Sequence, residues 1–235
     1  VERSRGLGDV YKRQALVAAL PAEAVITDVG SVKQPVLEVW RHRHPRFVAS
    51  HPMAGTAAAG VDAGQRGLFM QRPWIATPDA TTDPQALSLV HSLATSLGSH
   101  WVTAAADHHD QAVALISHLP VLVSAALLRA AGDERDPAVR QLAMTLASSG
   151  FADTSRVGGG NPDLGVAMAS SNTDAVLRGL AAYRWSLEQL EEAVLNGNWA
   201  QLQQELERTQ ALRPSFLTKA DLSNCLLYTS DAADE

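Results

Sequence analysis

Two short polar segments carry the residue types best suited to proton transfer in this chain. Residues 28–33 (DVGSVK) follow the apolar run 24–27, and residues 50–56 (SHPMAGT) follow a second apolar run. Both runs have the composition of β-strands, and open α/β sheets place their chemistry in the loops at strand ends. Ser31 in the first loop offers a hydroxyl and His51 in the second an imidazole, a pairing suited to removing a proton from a substrate.

Other chemistry is less well supported by the spacing. His108, His109 and Asp110 have the side chains of metal ligands, but sequential neighbours rarely share one ion, and the H-E-x-x-H pattern of zinc proteases does not occur. Ser31 and Ser50 lack the G-x-S-x-G elbow of serine hydrolases. The sequence therefore predicts neither a metal site nor acyl transfer.

The elements that must position these loops change in type near residue 107. Before it, apolar β-type runs alternate with helical segments, the runs being 24–31, 46–52, 72–78 and 100–105. Asp83 and Pro84 predict the start of one helix, which continues to about Leu97 and ends at Gly98. Such alternation indicates a parallel sheet.

After Asp107 the patterns predict helices only, over 108–117, 120–131, 137–149, 172–196 and 199–213. The longest begins after Asn172, which we interpret as its cap, and has one apolar stripe with steps of three or four residues: Val176, Leu180, Tyr183, Leu187, Leu190 and Val194. Residues 112–128 approach the length of a membrane span, but His118 and Pro120 interrupt them. We interpret this stretch as a helix buried in a globular core.

The two ends of the chain have the composition of translated DNA adaptor. The segments DVYKRQ and CLLYTS can be encoded by strings that are reverse complements apart from a one-base offset, as transposon ends in sequencing libraries are. We therefore expect residues 1–14 and 225–235 to be adaptor-derived and exclude them from functional reasoning. Cys225, the only cysteine of the chain, falls in this part.

The composition limits the partners. The formal net charge is −6, and the chain has no basic stripe, which argues against nucleic acid as a partner. Without a cysteine between the two ends, disulfides and thiolate metal sites are excluded there. We expect a cytoplasmic protein that does not bind a membrane.

Five motifs follow one another in this chain: TDVGSVK (27–33), SHPMAGT (50–56), GLF (67–69), HDQAVALISHLP (109–120) and SSGFADTSRVGGGNP (148–162). Together they resemble the prephenate/arogenate dehydrogenase family of tyrosine biosynthesis, over residues 15 to about 217. The segments HPMAGTAAAG and SRVGGGNP are most similar to its arogenate-preferring, NADP-using branch.

The resemblance implies an α/β fold, a truncated Rossmann-like parallel sheet followed by an all-helical dimerisation domain. Residues 15–106 would form the C-terminal half of the NAD(P)-binding domain, and residues 107–217 the helical substrate and dimerisation domain of a homodimer. No G-x-G-x-x-G turn occurs between the two ends, since the glycines at 158–160 follow no strand. We therefore expect the first half of the Rossmann domain to be missing and cofactor binding by this chain to be poor.

The resemblance also implies an NAD(P)-dependent oxidative decarboxylase. Hydride leaves the carbinol carbon of a cyclohexadienol for the nicotinamide of NADP or NAD, the hydroxyl loses its proton, and carbon dioxide departs. Arogenate would give tyrosine, and prephenate would give 4-hydroxyphenylpyruvate. His51 matches the proton acceptor of the family, and Ser31 the serine that orients this histidine near the nicotinamide. Asp28 and Gly30 would line the cofactor cleft beside Ser31.

The substrate contacts implied by the resemblance lie mainly in the helical part. Arg156 would hold the ring carboxylate in a fork of two hydrogen bonds, and Asp153 would support either Arg156 or the local turn. His118 and Thr56 would line the substrate pocket. Two further predictions are structural: the pair His109 and Asp110 at the domain junction, and Lys33, for which a solvent-facing position is equally open.

Two other hypotheses remain. A different Rossmann dehydrogenase of small hydroxy acids, with a helical domain and a working lysine, would need a lysine in the helical part, which has none before Lys219. A non-catalytic dimerisation module would use the apolar stripe at 176–194, which exists in either case. The presence of both His51 and Arg156 favours the enzyme.

Overall fold

The computed structural model describes residue 17, residues 19–55 and residues 64–217. Thr56 and both segments expected to be adaptor-derived, 1–14 and 225–235, lie outside the described residues. The chain divides into two compact units, residues 1–179 and residues 180–235, and each is described by itself.

Short strands form two small sheets in the first unit. Strand β1 (Ile26–Thr27) pairs in parallel with β2 (Phe47–Val48). Strand β3 (Ser50–Pro52) pairs antiparallel with β4 (Pro73–Ala76), which pairs in parallel with β5 (His100–Thr103). The predicted parallel arrangement is confirmed for β1–β2 and β4–β5, whereas the β3–β4 pair is antiparallel.

The single strand predicted over residues 46–52 is divided in two at Ala49. The carbonyl of Ala49 accepts a hydrogen bond from the backbone N–H of Thr77 at 3.0 Å. The next N–H, that of Ser50, donates to the carboxylate of Asp28 at 2.9 Å instead of to a neighbouring strand. This side-chain contact ends the pairing with β1, and the chain continues as β3 in the other sheet.

Two helices pack on these sheets, α1 (Gln34–Trp40) and α2 (Pro84–Ser96). The predicted ends of α2 are confirmed: the carboxylate of Asp83 accepts from the N–H of Ala86 at 2.6 Å, and Gly98 follows the helix with a φ of 78°. The buried side chains form two small clusters, one of Val48, Ala76, Ala86 and Val90 and one of Leu37, Phe47 and Ala49.

The rest of the described chain is helical. In order, its elements are α3 (Ala106–Val113), a π-helical turn (Ala114–His118), α4 (Leu119–Gly132), α5 (Pro137–Leu146), α6 (Ser149–Ser155), a 3₁₀ turn (Arg156–Gly159), α7 (Pro162–Ser171), α8 (Thr173–Leu195), α9 (Trp199–Leu212) and a second 3₁₀ turn (Arg213–Phe216). Helices α6 and α7 were not predicted. The side chain of Asn161 caps α7 by accepting from the N–H of Asp163 at 2.9 Å, so Asn161 and Pro162 were a usable start signal.

The π-helical turn lies where Pro120 enters the helix. Proline has no N–H and its ring excludes the carbonyl four residues earlier, here that of Ile116, from regular helical geometry. A π turn contains one residue more than a regular α-helical turn. The residues after it are therefore shifted around the helix axis by about one residue's rotation relative to a regular α-helix. Residues eight positions apart lie about 80° apart around a regular α-helix, so the extra residue brings Asp110 and His118 onto nearly the same face.

The stretch Ala106–Gly132 is long and apolar enough to cross a membrane by length and composition alone. Only 22% of its most apolar window is buried in the described chain. The interpretation as a helix buried in the core of one chain is thus only partly right. Its buried residues are largely polar, namely His109, Asp110, His118 and Ser124, together with Val113 and Ala114. The polar face is therefore packed against protein, and apolar side chains such as Leu115 and Ile116 lie outside.

Helix α4 also holds the turn that carries Arg156. The hydroxyl of Ser124 donates to the carbonyl of Thr154 at 2.7 Å and accepts from the N–H of Gly158 at 3.0 Å. Gly158 packs so closely that a Cβ there would overlap the backbone of Ser124 and Ala125. Only a glycine permits this contact without displacing α4.

We expect Gly158→Ala to lower the free energy of unfolding by about 1–3 kcal/mol or more, because the added methyl group must push α4 away. Urea denaturation of the chain measures this change. Gly150→Ala is the matched control, since a Cβ at Gly150 meets nothing within 4 Å. Equal stability of the two variants would contradict the close contact.

Candidate active site

The carboxylate of Asp28 joins the loop after β1 to the start of β3. One oxygen accepts from the N–H of Gly30 at 2.9 Å and from the ammonium of Lys33, and the other accepts from the N–H of Ser50 at 2.9 Å. Both oxygens are therefore engaged inside the protein. The sequence predicted that Asp28 lines the cofactor cleft. A contact of its carboxylate with a cofactor would have to use oxygens that already accept these hydrogen bonds.

Lys33 is fully buried. Of the two positions predicted for it, structural or solvent-facing, the structural one is therefore observed. Its ammonium group donates to Asp28 and, at 2.6 Å, to the carbonyl of Ser50. Burial lowers the pKa of Lys33, and the negative charge of Asp28 opposes this shift. The ion pair thus ties the loop before α1 to the strand that carries His51.

Ser50 is buried in a network of its own. Its hydroxyl donates to the carbonyl of Asp28 at 2.9 Å, accepts from the indole N–H of Trp74 at 3.0 Å and lies 2.8 Å from the hydroxyl of Thr27. These contacts connect β1, β3 and β4. The hydroxyl of Ser50 is a structural group and not a nucleophile.

The imidazole of His51 contacts a second imidazole. Nδ1 of His51 lies 2.9 Å from Nε2 of His109, with the rings edge to face, and Nδ1 of His109 lies 2.8 Å from the carboxylate of Asp110. The same carboxylate accepts from the backbone N–H groups of Lys33 at 2.7 Å and Gln34 at 2.8 Å. The three side chains form a chain of hydrogen bonds that is anchored at the start of α1.

The charges around these groups favour an ionised Asp110 and a neutral His51. Burial alone would raise the pKa of Asp110, but hydrogen bonds from His109, Lys33 and Gln34 hold it below its ordinary value. Burial, together with the nearby His109 and Lys33, lowers the pKa of His51 to about 4. At neutral pH His51 is therefore uncharged, the state in which an imidazole accepts a proton.

His118 lies in the same region, as the π turn permits. It is buried, and its Nδ1 lies 3.4 Å from the side-chain amide nitrogen of Asn172, which also donates to the backbone carbonyl of Asp110 at 2.7 Å. Within the described part of the chain, Nε2 of His118 is buried without a hydrogen-bond partner. A buried polar atom of this kind suits a ligand contact, which agrees with the predicted pocket role of His118 without testing it.

Other predicted site residues are not joined to this cluster by hydrogen bonds. Ser31 is half-buried, and among residues 19–55 and 64–217 it makes no hydrogen bond to His51. Arg156 and Asp153 are exposed around the turn after α6, without an ion pair in the same ranges. The roles predicted for these three residues, and for Thr56, stay predictions.

Sequence reasoning missed two contacts. His109 was predicted to be structural, yet it is the direct partner of His51. Asn172 was predicted to cap α8, yet its side-chain amide donates to Asp110. The motif HDQAVALISHLP contained His109, but a contact between residues 58 positions apart has no local signal.

The loop after β1 is the part of the described chain that fits the nicotinamide end of a dinucleotide. It follows the carboxyl end of a parallel strand, where α/β sheets bind such ligands. Val29 is 64% exposed there, and Gly30 and the hydroxyl of Ser31 follow it. An apolar surface beside a hydroxyl suits a flat, partly polar ring. No group of three His, Cys, Asp or Glu side chains that could hold a metal is found among the residues described.

Two family models match the chain in succession. The model described as prephenate dehydrogenase, nucleotide-binding domain, matches residues 9–103, and the model described as prephenate dehydrogenase, dimerization domain, matches residues 105–208. The first match begins inside the segment expected to be adaptor-derived, whose origin stays a prediction.

Curated proteins and solved structures similar to this chain are named as prephenate, arogenate or cyclohexadienyl dehydrogenases. The chain is 32% identical over 210 residues to a cyclohexadienyl dehydrogenase of Zymomonas mobilis, covering 88% of this chain and 71% of that protein. It is 33% identical to a prephenate dehydrogenase of Bacillus subtilis, covering 66% of this chain and 42% of that protein. A Synechocystis arogenate dehydrogenase structure is 42% identical with a TM-score of 0.79, covering 88% of this chain and 75% of that one. An Aquifex aeolicus prephenate dehydrogenase, solved with hydroxyphenyl propionate and NAD⁺, is 26% identical with a TM-score of 0.80, covering 88% and 74%.

We expect the protein to lose stability as the pH falls from 6.5 towards 4. The pKa values of His51 and His118 are lowered in the folded state, so the unfolded chain takes up protons first on acidification. Their stabilising contribution is complete above the ordinary histidine value and is lost below it. One pKa unit corresponds to about 1.4 kcal/mol, so His51 alone could account for roughly 3 kcal/mol.

Urea denaturation at several pH values measures this loss. His51→Gln should flatten the pH dependence, because glutamine takes up no proton in this range. His42→Gln, at an exposed histidine, is the control and should leave the dependence unchanged. An identical pH dependence in the wild type and His51→Gln would contradict the buried, neutral state of His51.

Proposed function

Because the chain belongs to the prephenate dehydrogenase family, we propose that it oxidises and decarboxylates arogenate or prephenate, with NADP or NAD as the hydride acceptor. The observation that carries the proposal is the neutral imidazole of His51 within β3, hydrogen-bonded to His109. The product is tyrosine from arogenate or 4-hydroxyphenylpyruvate from prephenate.

His51 acts on the hydroxyl of the substrate. As hydride leaves the carbinol carbon for the nicotinamide, the hydroxyl proton moves to the imidazole and a carbonyl forms. The bond to the ring carboxylate then breaks, carbon dioxide leaves, and the electron pair completes the aromatic ring. The oxygen recovers a proton from His51 to give the phenol. An imidazole that is neutral before the reaction can both take and return this proton.

Arg156 holds the ring carboxylate. Its guanidinium is exposed, and the turn that carries it is fixed on both sides by Ser124. A guanidinium can bind a carboxylate through two parallel hydrogen bonds, which orients the ring as well as attracting it. Asp153, in the last turn of α6, supports Arg156, and His118 and Thr56 are the residues that we assign to the substrate pocket.

The cofactor is held beside this site by the loop after β1. The backbone of Asp28 and Gly30 and the hydroxyl of Ser31 are the groups that we assign to it. The nicotinamide, when bound, supplies the hydride acceptor. Arogenate is the favoured substrate, and NADP the favoured cofactor, since the segments HPMAGTAAAG and SRVGGGNP are most similar to that branch. The 42% identity to the Synechocystis arogenate dehydrogenase supports this preference.

The protein is proposed to work as a cytoplasmic homodimer through its helical part. The match to a dimerization domain supports this, as does the exposed apolar surface of α5, where Leu142, Met144 and Leu146 are exposed. An apolar cleft of about 540 Å³ is lined by residues that include Leu128, Met144 and Phe151. A second copy would cover this surface, since monomers rarely leave so much apolar area in water.

A lysine-dependent dehydrogenase is the alternative, and the geometry counts against it. Lys33 is the one lysine among the described residues, and its ammonium is buried against Asp28 and the carbonyl of Ser50. A lysine in this position does not reach a substrate.

We expect the protein expressed from its complete gene to reduce NADP faster than NAD and to prefer arogenate over prephenate. Reduced-cofactor absorbance measured with the four combinations of substrate and cofactor tests this. Turnover with prephenate alone would overturn the substrate preference. A folded protein that binds cofactor but turns over neither substrate would overturn the proposed function.

We expect His51→Asn to lower kcat by about 10²–10⁴-fold with little change in cofactor affinity, because the proton acceptor is lost. Steady-state kinetics and cofactor titration measure the two effects. His42→Asn, at an exposed histidine, is the control. Near-normal kcat in His51→Asn would assign the proton to another group.

We expect Arg156→Gln to raise KM about 10–100-fold with a smaller effect on kcat, because a charge-assisted pair of hydrogen bonds to the substrate is lost. Arg129→Gln, which removes another exposed arginine, is the control. An unchanged KM in Arg156→Gln would place the carboxylate elsewhere.

A further inference from the structure

We propose that His109 is a positioning residue that fixes the tautomer of His51, so that Nε2 of His51 carries the lone pair that accepts the substrate proton. The inference rests on the proposed function for the identity of that proton. It assigns to the His109–Asp110 pair a task in catalysis beyond the structural one that the sequence predicted.

The assignment starts from Asp110. Its carboxylate receives two backbone N–H groups, from Lys33 at 2.7 Å and Gln34 at 2.8 Å, and these groups can only donate. An ionised carboxylate can only accept hydrogen bonds. Nδ1 of His109, at 2.8 Å from the same carboxylate, must therefore carry a hydrogen.

The proton on Nδ1 of His109 decides the state of its other nitrogen. The inference assigns His109 the neutral state, in which one ring nitrogen donates and the other accepts, so that Nε2 of His109 is an acceptor. Nδ1 of His51 lies 2.9 Å from it and must then be the donor. Because His51 is neutral as well, its proton is on Nδ1 and its lone pair is on Nε2, which points away from His109.

The opposite arrangement would remove the proton acceptor. If His109 instead donated from Nε2, Nδ1 of His51 would accept, and Nε2 of His51 would carry the hydrogen. That tautomer cannot take a proton from a substrate at Nε2. The hydrogen bond from His109 to Asp110 therefore favours the tautomer of His51 that can accept a proton at Nε2 over the tautomer that cannot.

The surrounding contacts keep this arrangement in place. His109 and Asp110 are both buried, so water does not compete for their hydrogen bonds. The carbonyl of Asp110 accepts from the amide of Asn172 at 2.7 Å, which fixes the backbone of α3 at this point. His51 is held on β3 by the neighbouring Ser50, whose backbone contacts both Asp28 and Lys33.

The tautomer is measured directly on the protein labelled with ¹⁵N-histidine, by long-range ¹H–¹⁵N correlation at neutral pH. We expect His51 to have its hydrogen on Nδ1 in the wild type and in His109→Gln, whose side-chain oxygen can still accept from Nδ1. In His109→Leu, whose side chain has no acceptor, we expect the two neutral tautomers of His51 to exchange, so that its single ring hydrogen is found partly on Nδ1 and partly on Nε2. Hydrogen on Nε2 of His51 in the wild type would overturn the inference.

Kinetics of the protein from its complete gene supply the second test. We expect His109→Leu to lower kcat by about two orders of magnitude with KM within a few-fold of the wild type, and His109→Gln to recover at least tenfold of that loss. Equal kcat values for the two variants would overturn the inference, because a purely structural role is not rescued by an acceptor. His108→Leu is the control, since the side chain of His108 is 76% exposed.

The two tests separate this inference from the proposed function. A wild type without turnover, but with hydrogen on Nδ1 of His51, would contradict the proposed substrates and leave the hydrogen-bond assignment intact. A wild type with turnover and hydrogen on Nε2 would contradict the role of His109 alone. If His109→Leu does not fold, the wild-type spectrum and His109→Gln still decide the question.

Discussion

The ionised carboxylate of Asp110 is the constraint on which the site depends. It receives hydrogen bonds from the first N–H groups near α1 and from the ring of His109, so it joins the helical part to the strand-end loop. A buried charge of this kind is tolerated only when donors surround it. The same requirement orders every group around it, from the backbone of Lys33 to the imidazole of His51.

A second buried pair gives His51 its place. Lys33 and Asp28 hold the backbone of Ser50 from both sides, through its carbonyl and its N–H. Ser50 is where the chain leaves one sheet and enters the other. The polar contacts replace the missing ladder bonds there, and His51 follows at the start of the new pairing. Breaking a buried pair leaves an uncompensated charge, so either loss would disturb the strand itself.

The helical part contributes through two departures from regular geometry. The π turn beside Pro120 brings His118 onto the face of Asp110, where Asn172 contacts both. Gly158 lets the turn that carries Arg156 approach α4, where Ser124 binds it on both sides. The π turn thus places His118 on the helix face that carries Asp110, and Gly158 places the turn of Arg156 against α4.

Sequence alone determined the family, the sheet-then-helix order and most helix ends, because periodicity, caps and prolines act locally, as at Asp83 and Gly98. It also singled out His51 through its motif. Only the tertiary structure decided that Lys33 is buried, that the strand before His51 divides at Ala49, and that His109 is the partner of His51. These outcomes depend on hydrogen bonds between residues far apart in the chain, and no local pattern of residue types encodes which distant donor meets which acceptor.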